Sequence, residues 1–333
     1  MKFIKLFHLT SSLLLLPSSL FLLTSCDYKD LCYDHSHSAG VNVRFDWQKA
    51  PQLDAKGMTV LFYNIEGTGN PERYDFVGRD GGTARLVTGS YRAVAYNYDT
   101  ETILYRGMES SLTLEAYTRR SSIEEGTQMA AISRGYTMPR AGGTEDEPVI
   151  LEPDPLCGAQ SDAFQLDASV TGDVTIAPLM RTKVVVVTIN HVPNLQYTSQ
   201  IGGALTGLAP SVNMTTGQLG EGCATQAFAA VAAGDSTIVM TFNIFGHCPH
   251  AKGDVHNTHL LTVYAVLADG SKWYYTQDVG DQMHNPSHGG GTGEEVEIDI
   301  VVDDLPIPKP IVNGSGFQPT IDGWQGIEIQ VDM

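Results

Sequence analysis

The chain is short of cysteine, of basic residues and of long apolar runs, and each shortage excludes a class of protein. Five cysteines in 333 residues, with no C-x-x-C pair, do not make a regular disulfide framework. Twenty Lys and Arg stand against 38 Asp and Glu, a formal charge of −18. Such a surface repels nucleic acid, which binds where basic side chains cluster. There is no G-x-S-x-G elbow, no H-E-x-x-H, and no Walker or G-x-G-x-x-G loop ahead of a helix. With 38 carboxylates no acid pair can be singled out for glycoside hydrolysis, which needs a defined separation. The acids read as a solubilising surface, and the chain as a non-enzyme without a cofactor.

What is present begins at the N-terminus. Residues 1–25 carry Lys2 and Lys5, then an apolar run without acids, broken by Ser11, Ser12, Pro17, Ser18 and Ser19. A membrane span needs about 20 consecutive apolar residues, so the segment reads as a cleaved export signal. Leu23-Thr24-Ser25-Cys26 resembles the lipobox of bacterial lipoproteins, in which cleavage falls between the serine and the cysteine and the thiol is acylated. Cys26 is thus the expected lipid attachment point and Ser25–Cys26 the cleavage site. Each buried acyl CH₂ contributes about 0.8 kcal/mol, and two or three chains on one residue anchor a domain firmly. Asp27, Lys29 and Asp30 resemble the acidic surface-export signal of Bacteroidetes lipoproteins. The expected location is the outer membrane, lipid-anchored, facing outwards. Loss of Lys2 and Lys5 leaves 18 basic against 38 acidic side chains, a charge of −20. Cys32, Cys157, Cys223 and Cys248 then permit three pairings that spacing does not assign.

Residues 26–40 are polar and aperiodic, a tether reaching roughly 20 Å. In VNVRFDW, Val41, Val43, Phe45 and Trp47 alternate with polar residues, the period of a half-buried strand. MTVLFYN, YRAVAYNY, ILYRG and SLTLEAY follow, separated by turns such as RDGGT and VTGS. The pattern predicts antiparallel pairing, because parallel strands need crossovers and no run of helices is visible. Residues 118–160 read as a long connection with an edge segment. TKVVVVTIN suits a strand covered on both faces, and TIVMTFNIF and LLTVYAVLA continue the pattern. Ala268-Asp269-Gly270-Ser271 predicts a two-residue type I′ hairpin. VEIDIVV and IEIQVDM alternate cleanly, with the three-proline LPIPKP between them as a stiff spacer.

These elements predict an all-β chain of two tandem antiparallel β-sandwiches, residues 41–170 and 171–304. Residues 305–333 follow as a spacer and C-terminal strand. Ile327, Ile329, Val331 and Met333 are the apolar side of a strand that could be donated to an open sheet edge.

KDLCYDH, VNVRFDW, GSYRAVAYNYDTETILYRG, RTKVVVVTINHVPNLQ, ALTGLAPSVNMTTG and LADGSKWYYTQDV together resemble an uncharacterised Bacteroidales lipoprotein family related to the fimbrillins. That resemblance implies two transthyretin-like domains and a role as fimbrial anchor, accessory subunit or adhesin. Its expected partners are other fimbrial subunits or surface ligands. In polymerising members, cleavage after an arginine frees a groove. Arg44 is the first arginine after Cys26 but falls inside VNVRFDW, so that cleavage is not carried over.

Two other readings compete. His247, Cys248, His250, His256 and His259 in HCPHAKGDVHNTH, with Cys32, His35 and His37, have ligating side chains for zinc or copper. Their spacing matches no standard site, so they are read as solvent-exposed loop histidines and no metal is assigned. Trp47, Trp273, Tyr274 and Tyr275 could stack on a glycan. Trp47 falls on the apolar side of its strand and is expected in packing.

Overall fold

The computed structural model describes residues 37–67, 69–130, 137–168, 171–249, 259–284, 297–310 and 323–328. The expected signal, Cys26 and most of the tether lie outside this set, as do Ile329, Val331 and Met333. The chain is all-β. Its first half comprises β1 (Ser38–Phe45), β2 (Gly57–Asn64), β3 (Glu72–Val77), β4 (Gly81–Val87), β5 (Gly89–Asn97), β6 (Ile103–Arg106) and β7 (Glu115–Thr118). A one-turn helix α1 (Ile123–Gly126), β8 (Val149–Ile150), β9 (Cys157–Gln160), β10 (Phe164–Leu166), β11 (Gly172–Ile176) and β12 (Leu179–Met180) follow. The second half comprises β13 (Lys183–Asn190), β14 (Thr198–Leu208), β15 (Ser211–Asn213), β16 (Ala224–Ala229), β17 (Val231–Ala232), β18 (Ile238–Ile244) and β19 (Leu260–Leu267). It ends with β20 (Lys272–Asp278), helix α2 (Gly280–His284), β21 (Glu297–Asp303) and β22 (Trp324–Glu328).

In the first half a sheet of order β11-β1-β4 packs on one of order β12-β9-β5-β2-β3, with β10 added along β5. The period-two pattern turns Val41 and Val43 inwards against Met58, Val60 and Phe62 of β2 and Ala93 and Ala95 of β5. Asn42 faces outwards, donating to Asp173 at 3.3 Å and accepting from Thr83 at 2.9 Å. Each such fully buried aliphatic or aromatic side chain contributes about 1.5–3 kcal/mol. The strand stops at Phe45, two residues earlier than its alternation predicts. The Asp46 side chain accepts from the Gln48 N–H and turns Trp47–Lys49 into a single 3₁₀ turn. A local side-chain bond competes with the ladder and wins.

In the second half a sheet of order β17-β18-β13-β21 faces one of order β22-β20-β19-β14-β16-β8. Val185, Val187 and Ile189 of β13 meet Leu261, Val263 and Ala265 of β19 in the core. Phe228 and Phe242 stack with centroids 3.7 Å apart. The outward residues of TKVVVVTIN are only half-buried, so β13 is not covered on both faces. Strands covered on both faces include β2, the second part of β14, and β19. The outer face of β19 lies under the long connection, where Ile123, Met129 and Met138 pack on Tyr264 and Val266. Tyr264 donates its hydroxyl to the Pro139 carbonyl at 2.7 Å.

Three expectations are corrected. Among the described residues four pairings are parallel: β1 with β11, β13 with β21, β16 with β8 and β20 with β22. Each joins strands far apart in sequence, so the intervening strands serve as the crossover that a helix would otherwise supply. In the hairpin joining β19 to β20, Gly270 alone has positive φ, +83°. Its N–H reaches the Leu267 carbonyl at 2.9 Å, and Leu267 N–H bonds Ser271 O at 2.9 Å. The loop therefore has three residues, because the Asp269 carboxylate accepts from the Ser271 N–H at 2.9 Å instead of letting residue 269 adopt positive φ. LPIPKP is no free spacer at its start. Leu305 and Ile307 are buried in the second core, and the carbonyls of Pro306 and Ile307 accept from Tyr275 at 3.0 Å and Asn194 at 2.7 Å.

The halves share apolar surface. Leu61, Tyr63, Val94 and Tyr96 on the outer face of β2 and β5 meet Ala209, Val212, Met214 and Phe245 from the second half. Buried Arg181 donates to the carbonyls of Met214 and Thr215, both at 3.1 Å. Cys223 and Cys248 form a disulfide, and Cys157 is a buried free thiol that desolvation pushes up to about 12.

Candidate functional site

Sheet borders are where an all-β chain can recruit another strand, and here they differ in how they are closed. At the border of the six-stranded sheet, β22 runs parallel to β20 with Trp324 opposite Lys272 and Glu328 opposite Thr276. Ile327, expected on the apolar side of a donated strand, packs half-buried against the second core. Trp324 meets the buried Tyr264 ring edge-on at 5.5 Å, and its indole N–H is buried without an acceptor among the described residues. Gly326 lies directly against the Tyr274 ring, where any Cβ would collide with it.

The border of the four-stranded sheet is closed differently. Gln282 of α2 lies along β21, its carboxamide accepting from Val301 N–H at 2.7 Å and donating to Val301 O at 3.0 Å. One side chain thus imitates a neighbouring strand. In the first half β3 ends its sheet, paired among the described residues with β2 alone, and Val77 at its end is 86% exposed.

The four aromatic residues suited to a glycan are already engaged. Trp47 donates to Arg79 O at 2.9 Å while the Arg79 guanidinium sits 4.3 Å above its ring. Trp273 and Tyr275 face the second core, Tyr275 fully buried, and Tyr274 is half-buried beside Trp324. Arg44 extends from the middle strand of its sheet, its side chain 4.0 Å from Asp173.

Of the expected loop histidines, His250, His256 and His35 lie outside the described residues, and His259 is not exposed. It is fully buried at the start of β19, and its Nδ1 is 3.0 Å from the Thr206 carbonyl. Burial, with His284 and His247 nearby, pushes it down to about 4 against the opposing Thr206 hydrogen bond. The rings of His247, His259 and His284 form a group, with centroids 4.9, 5.2 and 6.2 Å apart. His284 carries no local signal: it joins the group because α2 follows β20 back to the end of the sheet where β19 begins.

A family model described as Domain of unknown function (DUF5119) matches residues 25–229. The chain belongs to the DUF5119 family. The match ends with β16, so β22, α2 and the histidine group of this DUF5119 protein lie beyond it. The chain is 26% identical over 353 residues of alignment to "Putative fimbrium anchoring subunit Fim4B" of Bacteroides ovatus, covering 96% of this chain and 97% of that one. A crystal structure of "a putative adhesin" from Bacteroides ovatus superposes with a TM-score of 0.54 at 22% identity, covering 86% of this chain and 99% of its own. Another, of "putative polysaccharide binding proteins (DUF1812)" from Bacteroides thetaiotaomicron, gives 0.51 at 11% identity, over 80% and 90%. At these identities the two structures share a fold with this DUF5119 chain. The fimbrillin-related resemblance carried by KDLCYDH, VNVRFDW and LADGSKWYYTQDV agrees with these matches.

Proposed function

We propose that this DUF5119 chain is a non-catalytic surface lipoprotein of the outer membrane that anchors a fimbrium, or serves it as an accessory subunit, through β-strand addition. The end-to-end similarity to a fimbrium anchoring subunit supports the coarse reading, because neither chain has a large segment that the other lacks. The observation that carries the mechanism is β22: a terminal strand, reached after residues 311–322, supplies the last ladder of a six-stranded sheet. A strand added from outside would satisfy the same row of backbone groups on β20.

Within this reading the chain has two tandem transthyretin-like sandwiches. We divide them after Met180 and not at residue 170, since β11 and β12 pair inside the first half. Signal cleavage before Cys26 and its acylation hold the protein on the membrane, and Ile327, Ile329, Val331 and Met333 form the apolar side of the donor strand. No cofactor enters the mechanism.

The test is made in cells that assemble fimbriae. Radiolabelled fatty acid is expected to mark the parent chain and not Cys26→Ser, and the variant should shed fimbriae into the medium. A chain lacking residues 323–333, with an unchanged circular dichroism spectrum, should lose the same attachment. Fimbriae that stay cell-bound in both variants would defeat the proposal.

A further inference from the structure

We propose that His247, His259 and His284 bind a divalent transition metal of the zinc class, clasping one end of the second sandwich. Six of the ten histidines fall between residues 247 and 288. Three of these are brought together from separate elements: His247 just after β18, His259 immediately before β19, and His284 at the end of α2.

His259 is the anchor of the set. The Thr206 carbonyl can only accept, so the 3.0 Å contact fixes the ring proton on Nδ1 and leaves a lone pair on Nε2. That Nε2 is buried and has no hydrogen-bond partner among the described residues. An unsatisfied buried acceptor is destabilising, and a ligand on this atom removes that cost. Donation of the second ring nitrogen to a backbone carbonyl is also how metal-bound imidazoles are usually oriented.

Spacing supports the same assignment. In a tetrahedral site with metal–nitrogen bonds of about 2.0–2.1 Å, imidazole centroids lie about 5 Å apart. The observed separations are 4.9, 5.2 and 6.2 Å. With the rings as they lie, no three His, Cys, Asp or Glu side chains among the described residues converge on one point. His247, whose Nδ1 lies 3.3 Å from the Cys248 carbonyl, and His284 are both partly exposed, and metal binding turns these two rings out of their present contacts towards the fixed Nε2.

The backbone beneath each ring is held in place. Cys248, disulfide-linked to Cys223, donates its N–H to Gly207 O at 2.8 Å beside His247. Val279 N–H reaches His259 O at 2.8 Å, and Leu260 N–H reaches the Thr206 hydroxyl at 2.9 Å. His284 follows Met283, which is buried in the core. An all-imidazole set suits zinc, copper or nickel and not calcium or magnesium, which take oxygen ligands.

The experiment uses the mature chain, free of any polyhistidine tag, titrated with Co²⁺. One equivalent should produce visible absorption of tetrahedral cobalt, bleached by one equivalent of Zn²⁺. Excess zinc should raise the melting temperature on the order of 5 °C. Both effects should vanish in His259→Gln and His284→Gln and persist in His191→Gln. Should His259→Gln fail to fold, the partly exposed His284 decides alone. Absence of the cobalt bands overturns the proposal, as does their survival in His284→Gln or their loss only on replacing His250 and His256.

Discussion

Glu152 illustrates how a single half-buried charge tunes this molecule. Its carboxylate accepts from the Asn243 N–H at 2.9 Å and from the Asn243 side chain at 3.3 Å, partly withdrawn from solvent. Desolvation raises its pKa above the ordinary carboxylate value, outweighing the Asn243 hydrogen bonds, and nearby Asp154 adds to the rise. The folded state therefore holds this proton more tightly than the unfolded chain. The resulting stability is complete below the unfolded pKa and is lost as pH rises through the folded value. Glu152→Gln keeps an acceptor oxygen for Asn243 and removes the charge. It should be more stable than the parent at pH 7 in urea titrations, with the difference vanishing towards acid pH. Residues of this kind are not legible in a sequence with 38 acids, because burial is decided by distant strands. The same holds for His259, whose place in a polar stretch suggests exposure until β19 and Val279 enclose it. Trp47 differs: its apolar role is readable from alternation, while its 3₁₀ geometry depends on the Asp46 side chain.

For single elements, β22 makes the sharpest prediction. Gly326 is pressed against Tyr274, so Gly326→Val should prevent the strand from seating on β20. Amides of Lys272–Thr276 should then exchange hydrogen faster, with the sandwich core unaffected. Unchanged protection would mean that the strand is not held by this register. Strands such as those in VNVRFDW and VEIDIVV were readable from period-two alternation, since half-buried sheets impose it. Partners were not, because a parallel pairing such as β13 with β21 leaves no local mark. Coverage is not legible either: β13 and β19 are both apolar, and the packing of Ile123, Met129 and Met138 on the outer face of β19 distinguishes them. The hairpin differs from expectation by one residue, a consequence of one carboxylate–amide bond at Asp269.

As a whole, the molecule behaves as one body if the apolar cluster between β2, β5 and Phe245 is as important as its burial implies. The chain's three tryptophans report separately, Trp47 from the first half and Trp273 and Trp324 from the second. Parent and Trp47→Phe should give coincident fluorescence transitions in denaturant, and Phe245→Ala should lower both by about 3–5 kcal/mol. Two well-separated transitions would show that the halves are independent. The all-β character was legible from the strand patterns, whereas the cluster shared by the two halves was not, since it joins outer faces that alternation alone assigns to water. The Gln282 carboxamide lying on Val301 has its own bearing on growth. By occupying a rim that would otherwise template another copy, it denies lateral accretion on that flank. A filament seated on this chain, as proposed above, would then extend from another border.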